Sequence, residues 1–267
     1  MLTTAYDSVA PVFDCHRALP VGVPEAIRAA VLDSVNTSRP RLLDLGAGSG
    51  RVGMPFVAAR DDYVGVDLSS GMLREFARRA AAHDVLSCLI QADGQQLPFP
   101  DATFDSVMLI QVFGGLRGWR RFIAEARRVL RPGGALIVGR TRLPPDGLDA
   151  RMKQRLAEIL AALGVQQDRP NARDDVEHWL KSNATSSENI TAARWTASRT
   201  PRGFMERHRT GARFSALPAS VKTRALHNLG AWATATFGSC DAVACEPHAF
   251  ELQIFRFRGG IANDAST

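Results

Sequence analysis

Gly46, Gly48 and Gly50 follow directly on a short apolar run, Leu42 to Leu45, whose single acid is Asp44. A second apolar run, Tyr63 to Val66, ends in Asp67. Alternate glycines after a strand let the backbone pass close beneath a ligand where any Cβ would collide. A carboxylate at the end of the neighbouring strand has two oxygens that can accept from both hydroxyls of a ribose. The pair reads as a nucleoside-cofactor site. Asp44 also has a plainer role open to it, capping the N–H groups of the glycine turn.

Which nucleoside is bound depends on the surrounding residues. Gly48, Gly50 and Gly53 satisfy the dinucleotide spacing GxGxxG, with Asp67 near the ribose-contact distance. That match is unspecific by itself. Asp44 precedes the glycines as D-x-G-x-G-x-G, and a third strand-like segment, Ser87 to Ala92, ends at Asp93. Then come QQLPFPDATFD (Gln95 to Asp105), VMLIQV, a helix ending RVLRPGG (Arg128 to Gly134), and ALIVG. This ordered set resembles the class I S-adenosylmethionine-dependent methyltransferases of the small-molecule type (methyltransferase type 11), which include quinone-biosynthesis enzymes. The resemblance spans roughly residues 1 to 140.

What the resemblance implies is specific. The fold would be α/β, a doubly wound, seven-stranded, mainly parallel Rossmann-like sheet with a final antiparallel strand and a helical cap insertion. The cofactor would be S-adenosylmethionine rather than NAD. Gly46, Gly48 and Gly50 would pass under its methionyl and ribose portion, and Asp67 would hold both ribose hydroxyls. Asp44 would order the turn and reach the methionine ammonium through water. Leu68 and Met72 would sandwich the adenine, Asp93 with Gly94 would read its amine edge, and Gln111 would meet the methionine end. The N-terminal AYDSVAPVFD (Ala5 to Asp14) resembles a cofactor-covering arm, with Tyr6 donating to the methionine carboxylate and Phe13 as an apolar lid. Leu68 and Met72 have ordinary core packing as their competing reading, and the arm could equally be a helix docked for stability.

The elements that must position these residues follow from periodicity. Strands are expected at Arg41 to Leu45, Tyr63 to Val66, Ser87 to Gln91, Ser106 to Val112 and Ala135 to Gly139, alternating with helices at Gly71 to His83 and Trp119 to Leu130. Beyond Gly139 the pattern loosens. Helices are expected at Leu148 to Leu163, near Asp174 to Lys181 and at Ala219 to Phe237, with a loop from Ser182 to Asn189, a possible strand at Ile190 to Ser198, and a period-two strand at His248 to Arg258. The expected organisation is a core with lid arm (1–140), a cap or substrate-binding insertion (141–216), the last helix and closing strand of the core (217–258) and a disordered tail (259–267).

Composition bounds the rest. The chain has 267 residues, 45% hydrophobic and 22% charged, so a substantial core is available. No apolar run approaches the ~18 residues of a membrane helix, and the N-terminus lacks a secretory pattern. Cys15, Cys88, Cys240 and Cys245 form no CxxC pair, which argues for a reducing cytoplasm and against a metal site. The net charge of +6 comes from dispersed arginines, with Lys only at 153, 181 and 222, so a solvated basic surface is expected rather than a nucleic-acid face.

Catalysis is where the sequence says least. After the fourth strand stands QVFGGL (Gln111 to Leu116), without the histidine of many relatives and without the Pro-Pro-aromatic motif of enzymes that methylate amines of bases. The one candidate base is His208, in a segment rich in arginine and aromatics, where a surface histidine on a basic helix is the plainer reading. The expected reaction is in-line methyl transfer to an O, N or C nucleophile of a small molecule. Two rivals are a tRNA methyltransferase, which strongly salt-dependent RNA binding would reveal, and a catalytically inactive cofactor-binding regulatory or partner subunit, which would bind cofactor without turnover. The sequence leaves the oligomeric state open.

Overall fold

A computed structural model of the chain describes residues 6–7, 10–114, 116, 118–165, 172–209, 211, 214 and 216–258. The expected tail, 259–267, and the start of the N-terminal arm lie outside the described residues. Seven strands form one sheet: β1 (Arg41–Leu45), β2 (Asp62–Asp67), β3 (Cys88–Gln91), β4 (Phe104–Ile110), β5 (Leu130–Arg142), β6 (Ser186–Arg199) and β7 (Ala244–Arg256), in the order β3-β2-β1-β4-β5-β7-β6. The first five are parallel, and β7 runs antiparallel to both β5 and β6. Strand order reverses between β1 and β4, which opens a crevice at their carboxyl ends, the place where doubly wound sheets bind ligands.

Both faces of the sheet are covered, which is why β1 and β4 read as nearly unbroken apolar runs. One face packs against α1 (Val23–Asp33), α2 (Met54–Ala58) and α3 (Ser70–Ala82) through Ile27, Val31, Phe56 and Phe76. The other packs against α4 (Trp119–Val129) and α6 (Ala172–Asn183) through Phe122, Ile123, Val176 and Leu180. α5 (Leu148–Ala162), α7 (Pro201–Arg209) and α8 (Ala219–Phe237) gather around a third apolar cluster containing Met152, Leu156, Phe204 and Leu229. This cluster is a cap with its own core.

The structure corrects the expected organisation in three places. Residues 141–216 are not a single insertion, because α6 and β6 belong to the layers of the sheet. Ser186 to Asn189, expected as a loop, starts β6. That strand is the sheet edge, pairing with β7 alone, so few of its side chains are buried and its apolar signal is diluted; only Ile190, Ala192, Ala193 and Trp195 reach the core. The helix at 219–237, expected with the closing strand in the core, turns Ala225, Leu229 and Ala233 toward the cap instead. β5 also starts earlier than expected. α4 gives way at Leu130, which pairs with Phe104 before a register shift leads to Ser106 opposite Ala135.

Candidate active site

At the carboxyl end of β1 the chain turns sharply, with Gly46 at φ 92° and Gly48 at φ 56°, both in the left-handed region that favours glycine. The N–H groups of Gly46 and Ala47 donate to the Val66 carbonyl, at 2.8 and 3.0 Å, which ties the loop to β2. A Cβ on Gly46 would meet Val112 at 2.7 Å, whereas one on Gly48 would meet only the Gly46 carbonyl, at 4.0 Å. The space above the loop is therefore open at Gly48. Gly50, expected beneath the ligand, shares this conformation at φ 78°, and both it and Gly94 are hemmed in by aromatic rings. A side chain at either would run into Phe76 or Phe122.

Asp67 ends β2 beside this loop. Its carboxylate accepts from Gly48 N–H at 2.9 Å and from Ser69 N–H at 2.8 Å, one bond to each oxygen. Each oxygen keeps a lone pair for a further donor. Burial raises its pKa, against the pull of those backbone bonds. Asp44 lies under the loop, 2% exposed, and Tyr63 Oη–H donates to one of its oxygens at 2.7 Å. The other oxygen is buried and has no hydrogen-bond partner. Burial, first among the causes, pushes the Asp44 carboxyl up to about 7. Leu68 stands exposed at the lip of β2, while Met72 is buried in the first turn of α3. Asp93, just past β3, accepts from Gln95 N–H at 2.9 Å, closing a turn around buried Gly94.

At the switch point Gln111 adopts φ 55°, an unusual conformation for a residue with a side chain. Its amide donates to Thr141 Oγ1 at 2.9 Å, and its carbonyl oxygen accepts from Arg51. Arg51 also donates to the Arg17 carbonyl at 2.6 Å, so both its acceptors are neutral. Burial lowers the pKa of this guanidinium. Arg51 carries no local signal of this placement, because an arginine after a glycine loop reads as the exposed start of a helix. The N-terminal arm reaches the same lip: Asp7 accepts from Ser69 Oγ and from Gly71 N–H, each at 2.8 Å, and Tyr6 packs edge-on against Phe13. Asp7 stands next to Tyr6 in the arm, and only the position of α3 shows what it accepts from.

The comparisons bear on what this geometry serves. Residues 43–138, from β1 into β5, match the methyltransferase domain family. The chain is 32% identical over 194 residues to the demethylmenaquinone methyltransferase of Clavibacter sepedonicus, an alignment covering 70% of this chain and 79% of that protein. The chain belongs to the S-adenosylmethionine-dependent methyltransferase family. It is also 34% identical over 144 residues to the demethylmenaquinone methyltransferase of Renibacterium salmoninarum, covering 53% of this chain but 59% of that protein, so the match spans less than two thirds of that relative. The crystal structure of the YcgJ protein from Bacillus subtilis superposes with a TM-score of 0.57 at 18% identity, covering 88% of this chain and 99% of that one, which shows the shared fold.

Two features of this methyltransferase-family chain fit the family's cofactor. The orphaned oxygen of Asp44 lacks a donor, and the glycine loop leaves room where a ligand's chain would lie. The expected site residues Asp44, Gly46, Gly48, Asp67, Leu68, Asp93 and Gln111 all fall along the carboxyl edge of β1 to β4. His208 is elsewhere, on α7 in the cap. Its ring stacks on Phe204 at 3.9 Å, and its Nδ1 is 3.0 Å from the Phe204 carbonyl, to which it can only donate. Burial lowers its pKa, and Arg207 and Arg17 add to the effect. Among the described residues no His, Cys, Asp and Glu group is arranged to hold a metal, and no helix is long and apolar enough to cross a membrane.

Proposed function

We propose that this chain transfers a methyl group from S-adenosylmethionine to a small-molecule acceptor held between the sheet edge and the cap. The carrying observation is Asp67, whose two oxygens are fixed by Gly48 and Ser69 N–H while each keeps capacity for one ribose hydroxyl. Asp44 takes the methionine ammonium through water, Arg51 with Gln111 takes the methionine carboxylate, Leu68 covers the adenine, and Asp93 accepts from its amine. The cofactor supplies an activated methyl on a sulfonium that leaves as a neutral thioether. The protein's part is to position the acceptor and exclude water. A helical cap with its own apolar core favours a small acceptor over an RNA groove. The names of the two curated relatives make quinone-class aromatics the first acceptors to screen.

Calorimetric titration with S-adenosylhomocysteine, methylthioadenosine and NAD tests the reading. The wild type should bind both adenosyl ligands and not NAD. Asp67→Ala should weaken both by roughly 100-fold, as expected for lost hydrogen bonds to a charged group. Arg51→Gln should weaken S-adenosylhomocysteine but not methylthioadenosine, which lacks the amino-acid portion. Binding of NAD alone would overturn the proposal.

A further inference from the structure

Four described residues other than glycine adopt a positive φ. Arg60 and Asp84 follow helices and Ala102 lies in an exposed turn, but Gln111 follows directly on β4, the middle strand of the sheet. A residue with a side chain keeps that conformation only where its surroundings hold it there. Two bonds to β5 do so. Gln111 N–H donates to the Gly139 carbonyl at 2.9 Å, and the side-chain amide donates to Thr141 Oγ1, also at 2.9 Å. Thr141 is itself anchored from the other side. It pairs with fully buried Phe250 of β7, and the next residue, Arg142, is bridged to Glu251 at 2.6 Å.

The direction of the Gln111 amide follows from its two partners. Arg51 can only donate, so the amide oxygen must face it. The NH2 group then faces Thr141, whose hydroxyl oxygen accepts. Branching at Cβ restricts a threonine to few rotamers, so this oxygen is offered in a fixed place. An apolar group there would leave the NH2 without its acceptor, and Gln111 would turn away from Arg51 to find another. Arg51 has much to lose by that. Asp14 attracts it while Arg17 and Arg79 repel it, so its orientation falls to two directional bonds, to the Arg17 carbonyl and to Gln111.

We propose that Thr141 is a positioning residue for the cofactor: its hydroxyl sets the Gln111 amide, and the amide sets the Arg51 guanidinium to receive the methionine carboxylate. The proposal rests on the cofactor reading above, in which Arg51 takes that carboxylate. Thr141 touches no ligand. Its effect passes through Gln111 and Arg51, and it is confined to ligands that carry the amino-acid portion. The relay runs from β5 across β4 to the glycine loop, so the strand that leads into the cap also tunes how firmly the methionine end is gripped.

The test is the ratio of two affinities, for S-adenosylhomocysteine and for methylthioadenosine, measured calorimetrically on each variant. Thr141→Val removes the hydroxyl and keeps the branched shape. It should weaken S-adenosylhomocysteine roughly 10-fold (about 1.4 kcal/mol) and change methylthioadenosine by less than about 2-fold. Thr141→Ser restores the oxygen and should recover most of the loss. In an Arg51→Gln background Thr141→Val should add nothing further, because the two act as one unit. A purely structural role for Thr141 predicts equal weakening of both ligands with a lowered Tm, and that result overturns the proposal. An additive effect in the double variant overturns it too. Should Thr141→Val keep the wild-type ratio while Arg51→Gln loses it, the role of Thr141 falls and the cofactor reading stands. A wild type that binds neither adenosyl ligand brings down both.

Discussion

Asp44 is the buried group through which the proposed ligand site would be coupled to the stability of the fold. Its carboxyl is raised from 3.8 to about 7 because burial outweighs the hydrogen bond from Tyr63. The native state therefore binds a proton that the unfolded chain has already lost between those values. The associated stability is fully present below about pH 4 and is lost as pH rises through 7, a change on the order of 4 kcal/mol. A bound ammonium favours the ionised carboxylate, so ligand affinity should move the other way. Titrations from pH 6 to 8 should show S-adenosylhomocysteine binding tighten with pH in the wild type and stay level in Asp44→Asn. In Tyr63→Phe the midpoint should move up, since the lost hydrogen bond had favoured the charged form. A level wild-type profile would remove Asp44 from the ligand's surroundings.

Among the elements, α3 is where the N-terminal arm meets the end of β2. Ser69 caps the helix through Met72 N–H at 3.2 Å, and Asp7 accepts from both Ser69 Oγ and Gly71 N–H. An acid at a helix N-terminus satisfies donors the helix cannot and opposes its dipole favourably. Asp67, two residues before Ser69, carries the carboxylate proposed to hold the ribose. Asp7→Ala should cost about 1 kcal/mol of stability, lowering Tm by about 2–4 °C for a chain of this size. It should also weaken S-adenosylhomocysteine, because the arm loses its anchor beside Asp67. Differential scanning calorimetry and titration of the same sample separate the two effects. An unchanged Tm would mean that this contact does not hold the arm.

The whole molecule is a sheet covered on both faces plus a cap whose apolar cluster is separate from the two that flank the sheet. Separate cores allow separate opening. Leu229→Ala removes a fully buried side chain from the middle of α8 and should cost about 2–5 kcal/mol within the cap. Hydrogen exchange should quicken in α5, α7 and α8 while the amides of β1, β2 and β4 keep their protection, and S-adenosylhomocysteine affinity should hold. Equal acceleration throughout the sheet would show one cooperative unit and remove the case for a cap that opens by itself.

The sequence by itself determined the parallel half of the sheet and the glycine turn at its carboxyl edge. Strands buried on both faces must be continuously apolar, and a ligand passing over a backbone turn demands glycine, so Leu42 to Gly50 and Tyr63 to Asp67 carry their roles in adjacent residues. Even there, packing adds what local pattern could not show: a side chain at Gly50 or Gly94 would run into Phe76 or Phe122, residues more than twenty-five positions along the chain. Only the tertiary structure decided the second half. β6 is an edge strand with little apolar signal, and α8 is amphipathic in a way that fits the sheet or the cap equally until α5 is seen opposite. The Arg51–Gln111 bond joins residues 60 positions apart, and the Arg199–His248 contact joins residues 49 apart. These pairs are brought together by the placement of β1 beside β4 and of β6 beside β7, a juxtaposition that no local pattern of residue types encodes.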